Sequence, residues 1–296
     1  MNTLTDLLSL VFIQRALIAG LLLATLAGIV GIMTLIRKTA FYGDAVAHSS
    51  LAGVAIGLAF GVYPLFTALI YSVIVALALP SLKKRLSLSL DNILGILLPF
   101  SMGIGVLIFS LLPGYQPEMM SFLFGNILTI QLQEIYLIIG IFITTAIIFW
   151  QLLPQMLATS LDEEYATLLG LNVKWLQRLY EVLLTIIIVA GVKLLGVILI
   201  NALLIIPASA AKNLSSSLKL WLILSPIFSV ITVLGGIISS VLLNTPPGAT
   251  IAVFSGVVFV ISQIYKNVLT FVNMQNKSIS LPSTKTVMIN QKNNDS

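Results

Sequence analysis

An aspartate and the only histidine of the chain lie four residues apart in FYGDAVAHSSLAGVAIGLAFG, residues 41 to 61, a stretch with no other charged side chain. On an α-helix, at about 100° per residue, Asp44 and His48 fall about 40° apart and one turn displaced, so they share a face. A carboxylate oxygen with an imidazole nitrogen is a ligand pair of intermediate softness. It suits zinc, manganese or ferrous iron, and not cuprous copper, which prefers sulfur. Two ligands do not make a tight site. Zinc takes about four, so the rest must come from another helix, from water, or from a second copy of the chain across a dimer axis. An incomplete shell is tolerable where the ion must also be released. The blander reading makes Asp44 a helix-start residue, six positions after Lys38, satisfied by free amides or by Arg37. His48 would then only donate a hydrogen bond to a nearby carbonyl. Ionisable groups sharing one helix face inside an apolar run are costly to keep, which favours the site.

The medium around this helix follows from composition. The 296 residues are 58% hydrophobic and 8% charged, with a mean hydropathy of +1.10. A soluble domain carries roughly a quarter charged residues, so the chain reads as an integral membrane protein. Its 15 basic against 10 acidic residues stand in short clusters between apolar runs, which excludes a nucleic-acid face and fits a bilayer partner. Cysteine is absent, removing disulfides and thiolate chemistry. The N-terminal MNTLTDLLSLVFIQR has no basic leader, so the first span is expected to be retained.

A crossing of roughly 30 Å needs about 20 apolar residues. That measure predicts an all-α, polytopic protein of about nine transmembrane helices, near 14–36, 42–61, 64–82, 92–112, 132–153, 176–192, 194–211, 220–243 and 249–266. The run from Val182 to Ala211 is split because Gly191, Lys193 and Gly196 offer a turn. Charge bias supports the split: with the N-terminus outside, 13 of the 15 Lys and Arg become cytoplasmic, leaving Arg15 and Lys193 outside. The membrane domain is thus expected over 1–266, with a polar, disordered cytoplasmic tail over 267–296. Gly53, Gly57 and Gly61 lie opposite the Asp44/His48 face as a G-x-x-x-G-x-x-x-G ridge, expected to form a helix-packing seam. Met119 and Met120 are conceivable weak ligands, with packing at the membrane interface the preferred reading. Lys193 is expected either to pair with a carboxylate at the outer face or to repel cations from a closed gate.

The longest internal polar interruption, TSLDEEYATLLGLNVKWLQR, predicts a short amphipathic helix. Asp162, Glu163 and Glu164 sit at its positive N-terminal end, Tyr165, Ala166, Leu168 and Leu169 follow, and Gly170 stops it. Three acids would be repelled by an anionic leaflet, so it reads as a docking knob for a soluble partner. The phosphate-cradling G-x-x-x-x-G-K-[ST] pattern is absent, as is H-E-x-x-H. No ATPase or hydrolase site is therefore expected in this chain.

FYGDAVAHSSLAGVAIG, SFLFGNILTI, LLGVILINALLIIPASAA and NTPPGATIAVFSG, four segments in order between about Arg37 and Gln263, resemble the ABC-3 type permeases, membrane subunits of bacterial zinc and manganese importers driven by ATP. The resemblance implies a homodimer in the bacterial plasma membrane, bound to a separate ABC ATPase and served by an extracytoplasmic metal-binding protein. It places the family's G-D-x-x-x-H element on Gly43, Asp44 and His48, as a transit site for the metal, and its ATPase-coupling element on Asp162 to Gly170. No permanent cofactor is implied. The small residue before His48 and the serine after it resemble the zinc branch more than the manganese branch, and Asn201, in the seventh span, is expected to offer a further oxygen ligand. A proton-coupled secondary transporter, with Asp44 and His48 relaying protons, is the main alternative; a non-transporting scaffold is the other.

Overall fold

The computed structural model describes residues 10–113, 125, 130 and 132–280. Among the described residues there are nine long helices and one short one: α1 (Val11–Ile36), α2 (Ala40–Ala59), α3 (Pro64–Leu86), α4 (Leu90–Leu111), α5 (Leu132–Leu161), α6 (Glu163–Leu168), α7 (Val173–Leu195), α8 (Val197–Leu214), α9 (Leu218–Leu243) and α10 (Pro247–Ser280). The expected all-α architecture of about nine long helices is what the described residues adopt. Among the described residues, seven helices are long and apolar enough to cross a bilayer unaided. The two exceptions, α2 and α8, matter most for the site. Asp44, His48 and several Ser and Gly residues dilute the apolarity of α2, yet Ala45, Val46, Ala47, Leu51, Ala52 and Ala55 are fully buried in it. A helix enclosed by other helices needs little apolar surface of its own. Outward-facing helices carry that surface instead: Trp150 on α5 is 89% exposed, and Phe66 and Ile74 on α3 also point outward.

Local chemistry sets the boundaries. Pro64 opens α3 at a position where its missing N–H costs nothing. Ser89 and Ser217 accept from Asn92 N and Leu220 N to cap α4 and α9. Between α7 and α8 the break is Gly196 alone, at φ +82° and ψ 162°, a region open essentially to glycine only. Its N–H still closes on Val192 O at 2.8 Å. Gly191, also considered as a turn residue, is helical, and a Cβ there would strike the Ile200 side chain. Gly196→Ala is therefore expected to lower stability by about 2 kcal/mol, read as a drop in the thermal unfolding midpoint in detergent; an unchanged midpoint would show that the α7–α8 break tolerates a side chain.

Packing relies on small residues, as it must where lipid offers no hydrophobic drive. α1 lies against α5, α8 and α9, and α2 against α3, α4, α7 and α8. A Cβ on Gly28 would come within 2.7 Å of Pro226 Cα, and one on Gly53 within 2.6 Å of Ala68 Cα. Gly57 likewise faces Pro64 and Thr67, so Gly53 and Gly57 both abut α3. Gly61 does not: nothing lies within 4 Å of a Cβ there, and its φ of +65° instead turns the chain toward α3. The three-membered seam shortens to two because α2 ends at Ala59. Buried hydroxyls and an indole add directional contacts: Ser225 Oγ donates to Gly28 O at 2.6 Å, and Trp221 Nε1 to Ala208 O at 2.8 Å. At the C-terminal end, α10 continues as helix to Ser280, past the boundary at 266 where the sequence suggests a disordered tail to begin; residues 281–296 lie outside the described residues.

Candidate metal-transit site

Asp44 and His48 stand one turn apart on α2, half-buried, and their charges act on one another. α8 crosses against this face. There the Asn201 side chain, buried, donates from Nδ2 to Asp44 Oδ1. His48 Nδ1 and Asn201 Oδ1 are both buried and without a hydrogen-bond partner. Buried polar atoms left unsatisfied cost free energy, and such exceptions mark places where a ligand can repay the loss. Gly43 makes the crossing possible: a Cβ at that position would lie 2.6 Å from Asn201 Oδ1. The glycine before the aspartate is thus required for the approach of α8.

The structure therefore brings together Asp44, His48 and Asn201: one carboxylate, one imidazole and one amide. Among the described residues no group of three His, Cys, Asp or Glu side chains could hold a metal. The described residues of one chain offer a donor set short of a closed tetrahedral shell. Met119 and Met120 lie outside the described residues, as does most of the segment 121–130. Of that segment, Gly125 is described; it sits against the backbone of Leu195 and Gly196, where a Cβ would clash.

Further along the chain, α6 has the expected form. Asp162 Oδ1 caps it by accepting from Tyr165 N at 2.9 Å, Glu163 and Glu164 occupy its first turn, and Gly170 leaves it at φ +75°. Ala166 is buried and anchors the helix to its neighbours, whereas Tyr165, Leu168 and Leu169 are exposed, Leu168 at 85%. Glu163 Oε1 accepts from Gln177 Nε2 on α7.

Two charged residues find partners that sequence spacing does not reveal. Lys193 forms an ion pair of 2.5 Å with Glu134, donates to Tyr63 OH at 3.1 Å and lies 4.9 Å from the Tyr63 ring centroid. The carboxylate-paired alternative for Lys193 is the one adopted. Arg37 turns away from Asp44. It donates from Nε to Ser160 Oγ at 2.8 Å and from a terminal nitrogen to Thr159 Oγ1 at 3.4 Å, with its guanidinium 4.6 Å from the Tyr180 ring centroid. Burial lowers the pKa of Arg37 from its usual value, an effect opposed by Tyr180, Glu181 and Glu163. Its basicity is high enough to leave it charged. Beside it, Ile36, Thr39, Tyr42, Glu163 and Glu181 line a cavity of about 450 Å³.

Three proteins of known type share this sequence or shape. The chain is 32% identical over 250 residues to the high-affinity zinc uptake system membrane protein ZnuB of Haemophilus influenzae, covering 83% of this chain and 95% of that protein. It is 30% identical over 251 residues to the manganese import system permease protein ScaB of Streptococcus parasanguinis, covering 85% and 89%. Its fold superposes on the solved structure of PsaBC from Streptococcus pneumoniae in complex with Fab with a TM-score of 0.80 and 28% identity, covering 89% of this chain and 97% of that one. With residues 9–266 matching the family as a whole, the chain is a member of the ABC 3 transport family.

Proposed function

We propose that this chain is the membrane permease of an ATP-driven importer that carries a divalent transition metal, zinc first and manganese second, into the bacterial cytoplasm. One observation carries the reading. In a membrane bundle, Asp44, His48 and Asn201 converge from α2 and α8, with His48 Nδ1 and Asn201 Oδ1 left without partners. Zinc uptake by ZnuB and manganese import by ScaB, the activities in the names of two relatives, support the cargo class. The imidazole and the zinc-branch surroundings of His48 favour zinc. The manganese reading draws on the two oxygen donors, Asp44 and Asn201, since carboxylate and carbonyl oxygens suit that harder ion.

In this mechanism two copies of the permease face each other across a cavity. An extracytoplasmic binding protein delivers the ion, and Asp44 and His48 of each copy hold it during passage. α6, at the cytoplasmic side, docks into a separate ATPase subunit, whose ATP cycle shifts the bundle from outward-open to inward-open. The N-terminus lies outside and the C-terminal tail inside, as the distribution of Lys and Arg supports. Membrane vesicles holding the permease, its ATPase and its binding protein test the proposal. Elemental analysis is expected to find ATP-dependent zinc uptake that persists when the proton gradient is collapsed. Uptake that needs the gradient and no ATPase would establish the secondary-transporter alternative instead.

A further inference from the structure

The turn that launches the ion-site helix is fastened to the segment that launches α6. Arg37 stands between α1 and α2, three residues before Ala40 opens the helix that carries Asp44. Ser160 and Thr159 stand at the end of α5, just ahead of Asp162, the cap of α6. Both hydroxyls have committed their protons elsewhere: Ser160 Oγ donates to Met156 O at 2.6 Å and Thr159 Oγ1 to Met156 O at 2.9 Å. Their lone pairs are therefore turned outward to accept, and Arg37 supplies both donors from one planar fork.

The other face of the guanidinium rests on Tyr180 of α7, whose hydroxyl shares a hydrogen bond of 2.8 Å with Thr34 near the end of α1. The first turn of α2 is held to α7 as well. Tyr42, two residues before Asp44, bonds through its hydroxyl to Thr185 Oγ1 at 3.0 Å and to Glu181 O at 3.3 Å. The side-chain contacts of Arg37 with Ser160, Thr159 and Tyr180 thus join the base of α2 to α5 and α7, the two helices that flank α6 in sequence. The cavity beside it leaves this junction room to rearrange. The path from α6 to Asp44 through Ser160 and Arg37 spans about ten residues of chain, three from Glu163 back to Ser160 and seven from Arg37 on to Asp44.

We infer that Arg37 is a positioning residue that couples α6 to α2, so that movement of the docking helix is converted into movement of the Asp44/His48 face. Arg37 touches neither cargo nor nucleotide in this role; it acts through Ser160, Thr159 and the first turn of α2. The inference rests on the importer function proposed above. It separates two quantities that a merely structural arginine would change together, ATP hydrolysis and metal moved per ATP.

The test uses the complete complex in vesicles: permease, ATPase and binding protein, with zinc as the probe and manganese in a parallel series. Arg37→Ala is expected to retain basal ATP hydrolysis and its unfolding midpoint, while zinc taken up per ATP falls at least fivefold. Arg37→Lys, which keeps the charge and loses the fork, is expected to restore less than half of the ratio. The paired change Thr159→Val with Ser160→Ala removes the acceptors and leaves Arg37 in place. It is expected to reproduce the uncoupling and to add nothing further in the Arg37→Ala background. An unchanged ratio in Arg37→Ala overturns the inference, as does a parallel loss of hydrolysis, uptake and thermal stability in both variants. Wild-type vesicles that hydrolyse ATP and accumulate neither metal overturn the importer function itself.

Discussion

Replacing Asp44 with asparagine is expected to cut metal uptake at least tenfold while leaving the complex assembled. The substitution preserves shape to within an atom and removes only the charge and one acceptor. Asn201 already donates to Asp44 Oδ1, and an amide at position 44 can still accept that hydrogen bond through its oxygen. The bundle should therefore keep its packing, including the close approach of α8 over Gly43. A desolvated divalent ion meets a different change. It loses the sole anionic side chain of the cluster, where charge-assisted contacts are about twice as strong as neutral ones. A loss of about 1.4 kcal/mol in binding already corresponds to tenfold, and a charge pair stripped of one partner in a buried setting costs more than that. The measurement is initial uptake rate by elemental mass spectrometry, alongside size-exclusion profiles of the purified complex. Wild-type uptake in this variant at equal expression would remove Asp44 from the path of the ion.

A comparable effect is expected from Leu168→Glu, through a different step. Leu168 is 85% exposed on a six-residue helix, next to exposed Tyr165 and Leu169, while Ala166 faces inward and is buried. Exposed apolar groups clustered in this way on a polar segment mark an interaction surface. A glutamate there also joins Glu163 and Glu164, so it adds a like charge as well as deleting apolar contact. Capture of the ATPase by the permease is expected to weaken at least tenfold, and uptake to fall with it. The isolated permease should melt at the wild-type temperature, since the Leu168 side chain is almost wholly open to its surroundings. Normal capture of the ATPase by this variant would move the docking surface away from α6.

Much of this arrangement was legible in the chain because short-range rules govern it. Apolar runs and the grouping of Lys and Arg predict about nine spans, and Gly191, Lys193 and Gly196 together flag a break inside the long run from Val182 to Ala211, which the structure places at Gly196. Capping chemistry places α6 between Asp162 and Gly170. The pairing of Asp44 with His48 needs only helical periodicity. Contacts between helices distant in sequence obey no such rule. The sequence places Arg37 near Asp44 as a candidate partner, yet it bonds Ser160 and Thr159, more than a hundred residues away. Lys193 finds Glu134 and Tyr63 in the same way. Gly61 matches the seam by spacing and misses it because α2 has ended two residues earlier. Asn201 is the instructive intermediate case: an amide in an apolar run signals an interest in some partner, without saying that the partner is Asp44.

The modest apolarity of α2 bears on how the chain enters the membrane during synthesis. An insertion machinery sampling helices singly would find α1 and α3 more favourable than α2, which is less apolar and carries Asp44 in its second turn and His48 one turn further in. The turn through Gly61 and Pro64 joins α2 directly to the apolar α3. The two can therefore leave the translocon as a hairpin, with Gly53 and Gly57 already seated on α3. Residence of α2 in the bilayer then depends on chain that has not yet been made when α2 itself emerges, so a chain truncated before α3 is expected to leave the helix of Asp44 and His48 outside the lipid.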